Sequence, residues 1–248
     1  MHASITIPPD HPRANSLYTR EKLVDGFRRG LVAPEGLIAH GRGEAYDYLI
    51  GEKTTQLARR AIRAAAAMLL LSRHPVISVN GNVAALCAGE VVQLADATGA
   101  AIEVNLFYRT EEREVAIKKE LARHGAKQVL GVGSRASARI PELHSERRKV
   151  DPAGIFVADT VLVPLEDGDR TEALVRMGKK VITIDLNPLS RTARASHVAI
   201  VDNVTRAMPA LVDSVASLKG RSSLKKMVEG FDNDSNLSQS LTLIKGGI

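Results

Sequence analysis

Hydrophobic positions along this chain change spacing at about residue 75, and the change predicts two kinds of organisation. Before it, Leu17, Val24 and Phe27 are among the apolar positions of a predicted helix. Ser16 is placed to cap that helix, which runs to about residue 30. Residues 34–52, rich in glycine and aromatics, assign to no element. An alanine-rich helix is predicted over residues 55–71, with Arg59, Arg60 and Arg63 on its polar side. His74-Pro75 ends it, because proline disfavours helix at the residue before it.

Beyond that point short apolar runs at 76–79, 101–107, 127–132, 154–163, 180–184 and 197–201 read as strands. Helices are predicted between them over 83–98, 110–124 and 171–177, and after the last strand to about residue 218. Gly99, Gly125 and Gly178 stand at their ends. Thr110 reads as an N-cap, with Glu111 and Glu112 suiting the positive end of a helix. Residues 134–152 are basic and irregular. From Gly220 the chain is polar apart from 241–244, and a packed arm and a mobile tail are both open readings. Strand–helix–strand alternation predicts an α/β fold, a parallel sheet wrapped by helices. A single domain of 248 residues is expected, with a helical segment over about 1–74, a core over about 75–218 and an arm over 219–248.

Composition narrows the function. Hydrophobic residues at 44% and charged residues at 25% exclude a wholly disordered chain. A net charge of +6 favours anionic partners. Aromatics at 3%, with no Trp, disfavour a stacking platform for single-stranded nucleic acid. Cys87 is alone, so no intrachain disulfide forms, which fits a cytoplasmic setting. The first residues lack the apolar core of a leader peptide. The longest apolar stretch, 64–71, is far short of the roughly 20 residues a membrane helix needs.

Parallel sheets bind ligands beyond the carboxyl ends of their strands, which directs attention to four polar runs. These are 80–82 (NGN), 105–109, 166–170 (EDGDR) and 185–192 (DLNPLSRT). Each has a plainer alternative. EDGDR also reads as a solvated turn with Asp169 capping the next helix. NGN reads either as a tight turn with positive φ at Gly81 or as the anion-binding start of a helix. DLNPLSRT mixes Asp, Asn, Ser, Arg and Thr, which suits nucleotide contacts better than Asx turns alone. The run 131–134 lacks a complete glycine fingerprint or phosphate-loop motif, which weakens NAD and P-loop readings. Arg13, Arg20 and Arg42 suit bidentate recognition of phosphate or carboxylate, and the glycines flanking Arg42 favour close approach of a ligand. His40 is a candidate acid or base or a structural side chain. His11, His40 and His74 lack zinc-ligand spacing, and Cys87 reads as core. Arg135, Arg139, Arg147, Arg148 and Lys149 form either an RNA-binding patch, a substrate interface or a solvated face.

Taken together, six stretches resemble archaeal phosphopantothenate synthetase: HPRANSLYTRE (11–21), GLIAHGRGEAYDYLIGE (36–52), PVISVNGNVAAL (75–86), IEVNLFYRTEER (102–113), ADTVLVPLEDGDRTEAL (158–174) and VITIDLNPLSRTARAS (181–196). The resemblance spans about residues 7–211 and leaves the tail aside. It implies a Rossmann-like fold, a homodimer, and condensation of 4-phosphopantoate with β-alanine in coenzyme A synthesis. ATP would be the co-substrate, with Mg²⁺, and the products AMP, diphosphate and 4'-phosphopantothenate would arise through an acyl-adenylate. It further implies that Arg20, Arg42, Asp185, Leu186, Asn187, Arg191, Thr192, Asn203 and Val204 hold ATP, with backbone of Leu186 and Val204 at the adenine edge. Arg13, Asn80, Asn82 and Arg109 are weaker assignments to the phosphopantoate site. Glu103, Glu166 and Asp167 are equal candidates for the base of the amine step. Neither nucleic acid nor membrane is an expected partner. Another nucleotide-dependent enzyme such as a kinase, and an RNA-binding protein, are the rival readings.

Overall fold

A computed structural model describes residues 7–246 except residue 9. The leader reading concerns a stretch that includes residues 1–6, and the arm ends at 247–248; these lie outside the described residues. Three helices come first: α1 (Ala14–Arg28), α2 (Pro34–Leu49) and α3 (Gln56–Leu71). They are followed by β1 (Pro75–Val79), α4 (Gly81–Thr98), β2 (Ala101–Val104) and α5 (Glu111–Arg123). A ribbon of β3 (Ala138–Arg139) and β4 (Lys149–Val150) precedes β5 (Thr160–Pro164), α6 (Gly168–Arg176), β6 (Lys180–Ile184), α7 (Arg191–Ala195) and β7 (Val198–Ile200). The chain then forms α8 (Val204–Leu218), α9 (Leu224–Glu229) and α10 (Asn233–Gly246).

The main sheet is parallel throughout, in the order β2-β1-β5-β6-β7, and the fold is α/β and Rossmann-like as expected. Register explains why its strands read as unbroken apolar runs. Val76, Val161 and Val181 align across the sheet and face a core completed by α6 and residues 140–158. Their neighbours Ile77, Leu162, Ile182 and Val198 face the larger core under α3, α4 and α8. Both faces are therefore dry, which parallel sheets require. Cys87 lies in that larger core, 1% exposed, where burial pushes its thiol up to about 12. It also interrupts α4, with non-helical φ/ψ of −139° and 27°.

Several expected boundaries move. α1 starts at Ala14, so Ser16 lies inside its first turn and donates to the Arg13 carbonyl instead of capping. Residues 34–49 are a helix begun by Pro34 at N1. The predicted strand at 127–132 reduces to a single bridge between Leu130 and Glu103, because Gly131 turns the chain away with φ of 73°. The predicted strand at 154–163 forms only from Thr160, since 154–158 close backbone turns on themselves. Likewise β2 stops at Val104. The arm is packed: Asn233 and Asn236 exchange hydrogen bonds of 2.9 Å with the Ala199 backbone. α10 thereby covers the outer edge of β7, an edge that would otherwise invite pairing with another chain.

Glu103 ends up inside the protein, 0% exposed, at the other side of the sheet. Its carboxylate accepts from the backbone N–H groups of Asp151 and Ile155 at 2.9 and 2.6 Å, holding the 151–155 turn against β2. Burial raises its carboxyl from 4.5 to about 7, against the pull of those two amides. The folded protein then binds a proton that the unfolded chain has released, so stability falls as pH rises through that window. Denaturant melts at its two ends should show wild type losing more stability than Glu103→Gln; parallel losses would assign the dependence elsewhere.

Candidate active site

All five strands end at one edge, and the sheet changes winding direction between β1 and β5, which opens a crevice there. A cleft of about 770 Å³ occupies this place, lined by residues 80–82 after β1, 106–108 after β2, 165–168 after β5, and 185–187 and 190–192 after β6. Its size suits a small ligand or cofactor. α2 forms the opposite wall with Gly36, Ile38, Ala39, Arg42, Gly43 and Tyr46.

Buried charges set α2 in position. Arg20 on α1 grips Glu44 with Nε and Nη2, at 2.9–3.1 Å. Asp47 accepts from Asn203 Nδ2 at 2.8 Å and from both terminal nitrogens of Arg206, whose Nε also reaches Asp202 at 3.0 Å. Glu44 and Asp47 lie on one side of α2, and this clamp leaves Arg42 exposed on the cleft wall. The Arg42 side chain makes no hydrogen bond or salt bridge among the described residues, and its charge acts on Asp185. Its flanking glycines are not demanded by space: a Cβ at Gly41 would meet nothing within 4 Å, and one at Gly43 only Leu186 at 3.8 Å.

Two helix N-termini point at the crevice. Asn80 caps α4, accepting from Val83 N at 3.0 Å, and its Nδ2 donates to the Leu165 carbonyl at 2.9 Å. Leu165 itself is held at φ of 56°, an unusual conformation that recurs at functional sites. Gly81 is not a positive-φ turn but a close approach: a Cβ would come within 2.2 Å of the Leu31 carbonyl. α6 is the second such helix, with Asp167 at the cap position and Asp169 inside the first turn. Gly168, its first residue, lets Arg191 pack directly above, since a Cβ would sit 2.3 Å from that of Arg191. Exposed N–H groups and helix dipoles at such ends favour anions.

Beneath α6 lies a buried ionic cluster. Glu166, its side chain 1% exposed, is held between Arg147 and Arg170. Arg170 is 0% exposed and also donates to Ser78 Oγ at 3.2 Å. EDGDR is therefore no solvated turn. On the β6 side, Asp185 accepts from the Ser190 hydroxyl and from Asn187 N at 2.9 Å. Burial raises its carboxyl above the usual range, and those donors together with Arg42 oppose the shift. Thr192 Oγ1 donates to the Glu166 carbonyl at 2.9 Å, joining the β5 and β6 loops.

Of the residues singled out from sequence, Arg42, Asn80, Asn82, Asp185, Leu186, Asn187, Arg191, Thr192, Glu166 and Asp167 come together here. Others do not line the cleft. Arg20 and Asn203 serve the α2 clamp, and Val204 is buried at the start of α8. Arg13 is exposed at the N-cap of α1. Arg109 turns inward, pairing with Glu114 and donating to the carbonyls of Lys149 at 3.2 Å and Gly131 at 2.5 Å. Glu103 is spent on backbone amides elsewhere. His40 lies outside the lining, and burial lowers its pKa. The basic segment is no open patch: Arg135 pairs with Asp151 at 3.1 Å and Lys149 with Glu146 at 2.6 Å, while Arg147, though buried, reaches the cleft lining. Sequence reasoning missed Arg113 and Tyr46 as cleft lining, and took in Phe107 and Tyr108 only as part of the 105–109 run. The position of Phe107 and Tyr108 just past a strand was their signal. Among the described residues no group of three or more His, Cys, Asp or Glu is set to hold a metal, and no helix is long and apolar enough to cross a membrane.

The sequence model of the phosphopantothenate/pantothenate synthetase family matches residues 57–247. The chain is 55% identical over 244 residues to 4-phosphopantoate–beta-alanine ligase of Thermococcus kodakarensis, covering 97% of this chain and 93% of that protein. It is 53% identical over 241 residues to the protein of the same name from Methanosarcina mazei, covering 96% and 94%.

Removing one partner of a buried ion pair strands the other. Arg170→Met should lower stability by about 3–5 kcal/mol in denaturant unfolding. A loss below about 1 kcal/mol would put the pair in the class of solvated surface bridges.

Proposed function

The chain belongs to the phosphopantothenate/pantothenate synthetase family, and on that premise we propose that it joins 4-phosphopantoate to β-alanine with ATP, yielding 4'-phosphopantothenate, AMP and diphosphate. One observation carries the reading: the motif-bearing strand ends open on a single cleft that combines a free arginine with two helix N-termini. Two anionic reactants must meet there, and a site poor in positive potential would keep them apart.

In this reading the nucleotide lies on the β6 side, against Asp185, Leu186, Asn187, Arg191 and Thr192, with Arg42 reaching from α2. Phosphopantoate lies on the β1 side, where Asn80, Asn82 and the start of α4 offer donors to its phosphate. The pantoate carboxylate attacks the α-phosphate, the bond to diphosphate breaks, and an acyl-adenylate forms. Negative charge grows on the phosphate oxygens at that moment, and preplaced donors stabilise it most in a site sheltered from water. The β-alanine amine then attacks the acyl carbon and AMP leaves. Arg20 and Asn203 act as positioning residues through α2. Mg²⁺ would enter on the ATP phosphates, since the described residues hold no cluster of three or more metal-ligating side chains, and would supply charge neutralisation at the leaving diphosphate. The exposed Ile38, Tyr48 and Leu49 of α2 offer an apolar surface in keeping with a homodimer. The lone cysteine and the use of ATP fit a cytoplasmic setting.

Product analysis by mass spectrometry tests the reaction: AMP and diphosphate should appear in equal amounts with phosphopantothenate, whereas ADP and phosphate would replace adenylation by an acyl-phosphate route. Arg42→Ala should lower kcat/KM by about 1.5–3 kcal/mol in transition-state terms, roughly ten- to a hundredfold, with the melt little changed because the exposed Arg42 side chain makes no hydrogen bond or salt bridge among the described residues. Asp185→Ala should lower both activity and order of the 185–190 loop, which it pins. Normal turnover in both variants would refute this placement of the nucleotide.

A further inference from the structure

We propose that Asp167 is the general base that takes a proton from the β-alanine ammonium, an assignment that rests on the ligase reading above. The strand order fixes where it stands. Along the rim the loops follow β2, β1, β5 and β6 in turn, so Asp167, after β5, lies between the proposed phosphopantoate loop at Asn80 and the proposed nucleotide loop at Asp185. The acyl-phosphate bond must form and break between those two loops.

The other carboxylates are committed or misplaced. Glu166 is enclosed by Arg147, Arg170 and the Asp167 N–H. Asp185 is occupied by Ser190 and Asn187. Glu35 also lines the cleft, but from the first turn of α2, where it is exposed and acts on Arg113, and not from a loop between the two proposed sites. Asp167 alone combines a central place with spare accepting capacity. Its Oδ2 is buried and ion-paired with Arg147 Nε at 3.0 Å, whereas Oδ1 accepts no hydrogen bond among the described residues and is the oxygen left to take a proton. It caps no backbone N–H of α6, and 44% of its side chain remains open. Burial raises its carboxyl above the ordinary range, with Arg147 opposing and Glu166 adding to the shift, a direction that makes it a better proton acceptor. Arg147, held by Glu166, is the positioning residue.

The protons balance as follows. The ammonium has three; Asp167 takes the first, freeing the nitrogen lone pair to attack the acyl carbon. The C–O bond to the AMP phosphate breaks and its electron pair leaves on AMP. A second proton passes from nitrogen to solvent, and the third stays on the amide.

Asp167→Asn keeps shape and a good cap residue. It should sustain diphosphate–ATP exchange with phosphopantoate alone, while β-alanine ligation falls by roughly 10²–10⁴-fold. Hydroxylamine, uncharged at neutral pH, needs no base and should still be converted to the hydroxamate. That product also certifies a folded site. Should the variant not fold, Asp167→Glu, which displaces the carboxylate, is expected to give the same split. Undiminished β-alanine ligation, or hydroxamate formation falling as far as amide formation, would overturn the assignment. Failure of the wild type to catalyse the exchange would instead overturn the ligase reading, and this proposal with it.

Discussion

A parallel sheet releases every strand at the same edge, and in this protein that constraint gathers the chemistry. Residues 80, 106, 167 and 185 are distant in sequence, yet each follows a strand, and the sheet delivers them to one rim. The winding reverses between β1 and β5, so helices leave the rim on opposite faces and a gap opens instead of a packed surface. Two of those helices begin at the gap, and their N-termini give it a positive character that no single side chain supplies.

Arginine is used in two distinct ways around this rim. Arg20, Arg109, Arg147, Arg170 and Arg206 are held by carboxylates or backbone carbonyls, and they fix loops and helices relative to one another. Such pairs in a low-dielectric setting hold geometry because breaking either half leaves an uncompensated charge. Arg42 is the contrasting case, free of partners and facing the cleft. The clamp on Glu44 and Asp47 keeps the helix in register while leaving that guanidinium uncommitted. Preorganisation of this kind lets the electrostatic work be done in advance of binding.

The carboxylates divide in the same way. Glu103 orders a turn on the far side of the sheet, Glu166 anchors the arginine cluster, and Asp185 pins its own loop. Each satisfies its oxygens locally, which is the condition for burying a charge. Asp167 does so only in part, and unmet hydrogen-bonding capacity beside a cleft is a cost that a folded chain retains where a ligand will use it.

The sequence by itself determined the alternation of strands and helices, most helix ends, the buried nature of the strands and the four polar strand ends, because periodicity and capping are local physics. The resemblance in its motifs pointed to the family before any fold was known. It left 34–52 unassigned because four glycines and scattered aromatics mask the helical period, whereas tertiary contacts through Glu44 and Asp47 hold that helix in place. It over-extended strands at 127–132 and 154–159, where apolar residues pack as turns against Glu103 instead of joining the ladder. Above all, sequence alone ranked the arginines only through the resemblance and left the candidate bases on equal footing. Which of them stay free depends on side-chain partners whose approach periodicity does not reveal, some of them far along the chain, such as Glu44 for Arg20 and Asp47 for Arg206, and only the folded chain brings these within hydrogen-bonding distance.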